Sequence, residues 1–187
     1  MAASSRKFSF PSDKSVTYTN WGRSALQAAF EMDDLAGKSV IMPAFIEQRG
    51  LQYLFNRLEI TPLFVDIERQ SFRMKLESAK QEVSDADAVL LVHPFGLPAN
   101  VDPWVDLCED SNLVLIEDCV RALGATHNGK VVGSFGKHAV YALHKVSPVF
   151  IGGAIATESA EANEYLSPPK YNSHALYHLL PDNIQHL

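Results

Sequence analysis

Short apolar runs recur along the first two thirds of the chain, at 39–42, 62–65, 88–92 and 113–116. Between them lie segments whose apolar residues fall three and four apart, at 51–58, 74–83 and 101–108. Brief apolar runs bounded by turn residues read as strands buried on both faces, and the three-and-four spacing reads as amphipathic helix. Strand, helix, strand in succession predicts a three-layer α/β/α architecture around a mostly parallel sheet. The units share no sequence, so they are successive βαβ units and not a repeat. Upstream, Gly22 opens a helical pattern carried by Ala25, Leu26, Ala29, Phe30 and Met32 and closed by Gly37. Downstream, Asn128-Gly129 marks a hairpin turn within 125–132, 140–143 and 154–157 offer two more strands, and 158–166 has a polar helical pattern. Residues 1–18, polar and punctuated by Pro11, read as a flexible lead; 19–166 form the main domain; 167–187, with three prolines, read as a tail without a period.

A chain of 187 residues that is 47% hydrophobic can bury one real core, which fits a single main domain. Its formal net charge of -6 argues against a nucleic-acid partner, which would call for a basic face. No apolar stretch is long enough to span a membrane, and the N-terminus lacks the apolar middle of a secretory signal, so the cytoplasm is the expected compartment. Cys108 and Cys119 have no paired spacing and are expected to be reduced packing residues. His174 and His178 have the spacing of a metal pair but no third ligand, so no metal is expected.

Candidate chemistry gathers at the carboxyl ends of the strands, where sheets of this kind place ligands. The run 113–116 delivers Glu117 and Asp118; the other strand ends contribute 43–47 and 93–96. Lys145 lies between apolar segments and ahead of Gly152-Gly153. Burial there would lower its pKa and make it a usable amine nucleophile. Gly22 at a helix start offers backbone N–H groups to an anion. No GxGxxG or GxxxxGK[ST] pattern occurs, which disfavours an unrelated doubly wound nucleotide-binding module.

The segments 20–26, 62–66 and 93–98, then Glu117-Asp118 through Gly124-Ala125, Gly133-Ser134-Phe135-Gly136 and Lys145 through Gly152-Gly153, follow one another in a familiar order. Over about residues 19 to 160 the chain resembles the DegT/DnrJ/EryC1/StrS family of pyridoxal phosphate-dependent aminotransferases of fold type I. The resemblance implies the large cofactor domain of such an enzyme. It further implies pyridoxal 5'-phosphate as cofactor, transfer of an amino group from an amino-acid donor to a keto substrate such as a keto-sugar, and a homodimer sharing its sites. On the matching positions, Lys145 would hold the cofactor as an internal aldimine and then carry the proton between Cα and C4′. Asp118 would bond the pyridine nitrogen and keep it protonated. Gly22, Arg23 and Ser24 match the phosphate seat. Arg121 stands where the family commonly has a glutamine near the ring hydroxyl, and His93 is either a pocket residue or a satisfied loop histidine.

The sequence also departs from the family. Ala142 replaces a serine that often contributes to the phosphate site. Glu47 stands where many members stack an aromatic ring, with Phe45 the nearest aromatic. The stretch between Gly136 and Lys145 is shortened. The smaller domain that normally follows the cofactor domain is not matched. The alternative to a working aminotransferase is therefore a truncated or degenerate cofactor-binding domain without turnover.

Overall fold

In a computed structural model, described for residues 9–46, 48–158 and 162–166, a seven-stranded mixed sheet runs through the molecule. The strands are β1 (Ser15–Thr19), β2 (Ser39–Pro43), β3 (Thr61–Val65), β4 (Ala88–Val92), β5 (Val114–Asp118), β8 (His138–Tyr141) and β9 (Gly153–Thr157), with β6 (Thr126–His127) and β7 (Lys130–Val131) forming a separate hairpin. Their order across the sheet is β1-β9-β8-β5-β4-β2-β3. The block from β3 to β8 is parallel, and β9 runs antiparallel to both β8 and β1. The expected mostly parallel α/β sheet is therefore what forms.

Each strand sends alternate side chains to opposite faces. On one face Val40, Met42, Leu90, Ile116, Val140 and Ile155 meet helices α1 (Gly22–Met32) and α2 (Gln48–Leu58), through Leu26, Phe30, Leu54 and Phe55. On the other, Ile41, Val89, Leu91 and Leu115 pack on α4 (Asp102–Ser111) through Trp104 and Cys108, and on Ala79 of the short α3 (Leu76–Ala79). A third cluster, with Cys119, Val132, Tyr141 and Ala156, joins the hairpin to the antiparallel end of the sheet. The last short helix, α5 (Ala162–Tyr165), lies against α1.

Several boundaries move from where the sequence pattern puts them. β1 reaches back into residues 15–18, which read as a flexible lead, because Ser15 to Thr19 pair in register with Thr157 to Gly153. The helix expected at 74–83 shortens to α3 and a 3₁₀ turn at Val83–Asp85, because Met74 is held in a β-bridge with Ile67. The strand expected at 140–143 ends at Tyr141, and the chain turns immediately into a 3₁₀ turn at Leu143–Lys145. Glu47, the tail 167–187 and the pair His174 and His178 lie outside the described residues.

Candidate active site

A cleft of about 790 Å³ opens beyond the carboxyl ends of β2, β4, β5 and β8, against the start of α1. That is the size of a small-molecule site. The strand order reverses between β2 and β4, the position where open α/β sheets hold their ligands. Gly22, Arg23, His93, Asp118, Arg121 and Lys145 all line the cleft, as do Ala142 and Phe45. Of the residues expected there, Ser24 is the one set apart: its N–H donates to the carbonyl of Trp21 as α1 begins, and it is not part of the cleft wall.

Asp118 ends β5 with its carboxylate Oδ1 accepting the N–H of Val120 at 3.0 Å. Burial pushes its pKa up, and the Val120 hydrogen bond with the positive charges of Lys145 and Arg121 counters only part of that. A half-buried carboxylate whose pKa is raised in this way gains from a cationic ligand group beside it.

Lys145 is exposed at the cleft rather than held among apolar neighbours, which corrects the expectation drawn from its flanking sequence. The cause is the tight turn: its N–H bonds the carbonyl of Ala142 at 3.0 Å, while Leu143 turns inward onto the third apolar cluster. The ring of the neighbouring His144 packs edge-on against Trp21, with centroids 5.4 Å apart, and its Nδ1–H donates to the carbonyl of Gly152 at 3.3 Å. The lysine turn is thereby fixed to the start of α1.

The entry to α1 is packed backbone against backbone. A Cβ on Gly22 would lie 3.0 Å from that of Ala142, and one on Gly153 would lie 2.4 Å from the Trp21 carbonyl carbon and 2.6 Å from the Gly22 nitrogen. These contacts hold the backbone of Gly22 and Arg23, the first residues of α1, at the cleft. Trp21 supplies no side-chain cap to cover them. The substitution Gly153→Ala is expected to cost about 3 kcal/mol by overpacking against backbone that cannot move aside. Urea denaturation measures this, and a midpoint equal to wild type would contradict it.

Sequence reasoning assigned no task to Glu117, the most heavily bonded side chain near the site. Fully buried on β5, its Oε1 accepts the N–H groups of Phe135 and Gly136 at 2.7 Å each. Its Oε2 accepts Gly133 N–H at 2.8 Å and His93 Nε2–H at 3.0 Å. Burial by itself would raise its pKa, but the hydrogen bonds from His93, Gly136 and Gly133 bring it below the usual carboxylate value. His93 Nδ1 accepts Ala99 N–H at 3.0 Å, which fixes the tautomer with the proton on Nε2. Both nitrogens of His93 are thus engaged within the protein, and only its ring surface borders the cleft. The signal for Glu117 was the acidic pair at a strand end followed by Gly133-Ser134-Phe135-Gly136.

His93, Glu117 and Cys119 also bring possible ligand atoms within 4.8 Å of one another. Their geometry is that of a hydrogen-bond hub, since the histidine and carboxylate lone pairs are committed and burial pushes the Cys119 thiol well up. Cys108, also buried and free, has its thiol pushed up to about 12. Both cysteines are the unreactive packing residues the sequence suggested. Among the described residues no helix is long and apolar enough to cross a membrane.

A parallel-sheet domain with a strand-end aspartate and a turn lysine at one cleft, beside a helix start, is an α/β domain of fold type I. The chain belongs to the DegT/DnrJ/EryC1/StrS aminotransferase family, whose model matches residues 7–176. It is 30% identical over 150 residues to GDP-perosamine synthase of Vibrio cholerae, covering 78% of this chain and 41% of that protein. It is 29% identical over 150 residues to UDP-N-acetyl-3-dehydro-alpha-D-glucosamine 3-aminotransferase of Acidithiobacillus ferrooxidans, covering 78% and 40%. The solved structure of S. venezuelae DesV in complex with a ketimine intermediate superposes with a TM-score of 0.73 at 25% identity, covering 84% of this chain and 45% of DesV. The chain spans about two fifths of the length of these curated relatives.

Proposed function

We propose that this chain is the cofactor domain of a pyridoxal phosphate-dependent sugar aminotransferase, moving an amino group from an amino-acid donor to a keto-sugar. The observation that carries this reading is that Asp118, Lys145 and the start of α1 meet at one cleft. The donor set suits the group: a carboxylate for a pyridinium nitrogen, a primary amine for an aldehyde carbon and helix amides for a phosphate. Once bound, the cofactor supplies an electron sink for charge developing on the substrate carbon.

The chain's own residues supply the rest. Lys145 would be the covalent anchor and, when released, the base and acid that takes the proton from the amino donor's Cα and delivers it to the cofactor's aldehyde carbon. Its exposure leaves the amine free to reach both tasks. Asp118 holds the ring nitrogen protonated. Gly22 and Arg23 take the phosphate through backbone N–H groups and a guanidinium, and Ala142 adds nothing because it has no hydroxyl. His93, through its ring surface, and Phe45 close the cleft wall around the ring.

The reading carries with it a cytoplasmic enzyme, consistent with two free buried thiols, and the homodimer that the family resemblance implies. A second reading, a cofactor-binding domain without turnover, draws on Ala142 in the phosphate seat. Pyridoxal phosphate titration followed in the visible spectrum tests both. Wild type should develop the absorption band of lysine-bound cofactor and Lys145→Ala should not; no band in wild type would rule out both readings. Loss of that band on adding an amino-acid donor selects the first reading, and persistence of the band selects the second.

A further inference from the structure

The turn that carries Lys145 is short, one stretch of 3₁₀ helix at Leu143–Lys145 before the chain passes Pro148 on its way to β9. Within it the N–H of Lys145 goes to Ala142 at 3.0 Å, and the N–H groups of Val146 and Ser147 go to Leu143 at 3.1 and 2.8 Å. Such bonds give the turn its shape and say nothing about where it points. Its direction is set by contacts to other segments.

Two donors from the turn converge on one oxygen, the carbonyl of Gly152: the N–H of Leu143 at 2.9 Å and the Nδ1–H of His144 at 3.3 Å. Gly152 immediately precedes β9 and holds φ at +146°, where L side chains are rare, and a Cβ there would meet the Leu143 side chain at 3.4 Å. The half-buried His144 ring also stands edge-on to Trp21, with the two planes at 76°. Edge-to-face pairs are favourable beyond the area they bury. Trp21 is itself fixed at its backbone: its carbonyl accepts Thr19 Oγ1–H at 2.8 Å and Ser24 N–H at 3.0 Å, and its carbonyl carbon abuts Gly153. His144 therefore bridges the residue before Gly22 to the residue before Gly153, and Lys145 is the next residue along the chain.

A ligand held by its phosphate at the start of α1 must present its aldehyde carbon to the Lys145 nitrogen, which bonds to that carbon while the aldehyde oxygen leaves as water. Steps between two anchored groups depend steeply on their separation, and a misplacement of about 1 Å costs on the order of a hundredfold in rate. Lys145 is exposed on a flexible four-carbon stem, so the separation is set by the turn and not by packing around the amine.

We propose that His144 is a positioning residue: by bracing the lysine turn against Gly152 and Trp21, it sets the reach of the Lys145 amine from the phosphate seat and so the rate at which the amine captures the cofactor aldehyde. This rests on the pyridoxal phosphate reading and adds to it a residue that acts through the lysine beside it.

Two measurements on the full chain test this. Stopped-flow mixing with saturating pyridoxal phosphate gives the first-order rate at which the band of lysine-bound cofactor appears. Calorimetric titration with pyridoxine phosphate, which carries an alcohol in place of the aldehyde, gives the strength of the phosphate and ring seats alone. His144→Ala should slow the band about a hundredfold and leave pyridoxine phosphate binding as in wild type. His144→Phe keeps a ring on Trp21 and loses the donor, whereas His144→Asn keeps a donor and loses the ring. Each should slow the band about tenfold, because each gives up one of the two contacts, and these variants carry the test if His144→Ala does not fold. Slowing in one of them alone supports the bracing and assigns it to the contact which that variant lacks.

A band that appears at the wild-type rate in both His144→Phe and His144→Asn overturns the proposal and leaves the cofactor reading standing. Pyridoxine phosphate affinity that falls in step with the rate also overturns it, since His144 would then hold the whole cleft and not the lysine. A wild-type chain that never develops the band removes the reading on which the proposal rests.

Discussion

Replacing Glu117 with glutamine should destabilise the protein by about 4 kcal/mol, a large share of the 5–15 kcal/mol that typically holds a domain folded. The substitution keeps the side chain's shape but changes what it offers. Glu117 presents only acceptors, and four N–H donors converge on it, from His93, Gly133, Phe135 and Gly136. A glutamine has one oxygen, so its NH₂ must face two of those donors. His93 cannot adapt by moving its proton, because Nδ1 is already accepting from Ala99. Two buried N–H groups are left without acceptors, at about 1–3 kcal/mol each, and the charge assistance of the others is lost.

The effect should also depend on pH, with a sign that follows from the folded protein. The pKa of Glu117 is lowered on folding, so its contribution is fully present above the unfolded carboxylate value and is lost as pH falls through the folded one. The gap in urea midpoint between wild type and Glu117→Gln should therefore be widest near neutrality and narrow in acid. Equal midpoints at pH 7 would show that the hub is not what holds residues 133–136 in place.

What could be read in advance divides along physical lines. The central strands β2, β4 and β5 were visible because parallel strands covered on both faces become unbroken apolar runs. β1 was not, because it is a half-exposed edge strand whose polar and apolar positions alternate, and only its register with β9 makes it part of the sheet. Asp118 was legible from its place at a strand end, and Lys145 from the glycine pair that follows it. The exposure of Lys145 was not legible, because apolar neighbours in sequence say nothing about which way a 3₁₀ turn faces. The Glu117 hub joins residues 16 to 24 positions apart, which leaves no local pattern. His138 is a further case: it bonds Thr157 at 2.8 Å and Asp33 at 2.6 Å, tying β8 and β9 to the end of α1.

Asp118→Asn should move stability and function in opposite directions. Burial raises the Asp118 pKa, so the folded protein holds that proton more tightly than the unfolded chain, and stability falls as pH rises from the unfolded carboxylate value through the folded one. Asparagine removes this dependence. In the absence of pyridoxal phosphate the variant should therefore unfold at a higher urea concentration than wild type at neutral pH, and the two should converge in acid, where Asp118 is protonated in both states. Adding pyridoxal phosphate should close or reverse the gap, because a protonated ring nitrogen gains a carboxylate partner only in wild type, and a ligand stabilises the fold in proportion to its affinity. Amino-donor turnover should fall on the order of a hundredfold or more, since the variant cannot hold the ring nitrogen in its charged form. Equal stabilisation of wild type and variant by the cofactor would separate Asp118 from the ring nitrogen. The raised pKa would then be only the cost of placing a half-buried carboxylate at the end of β5.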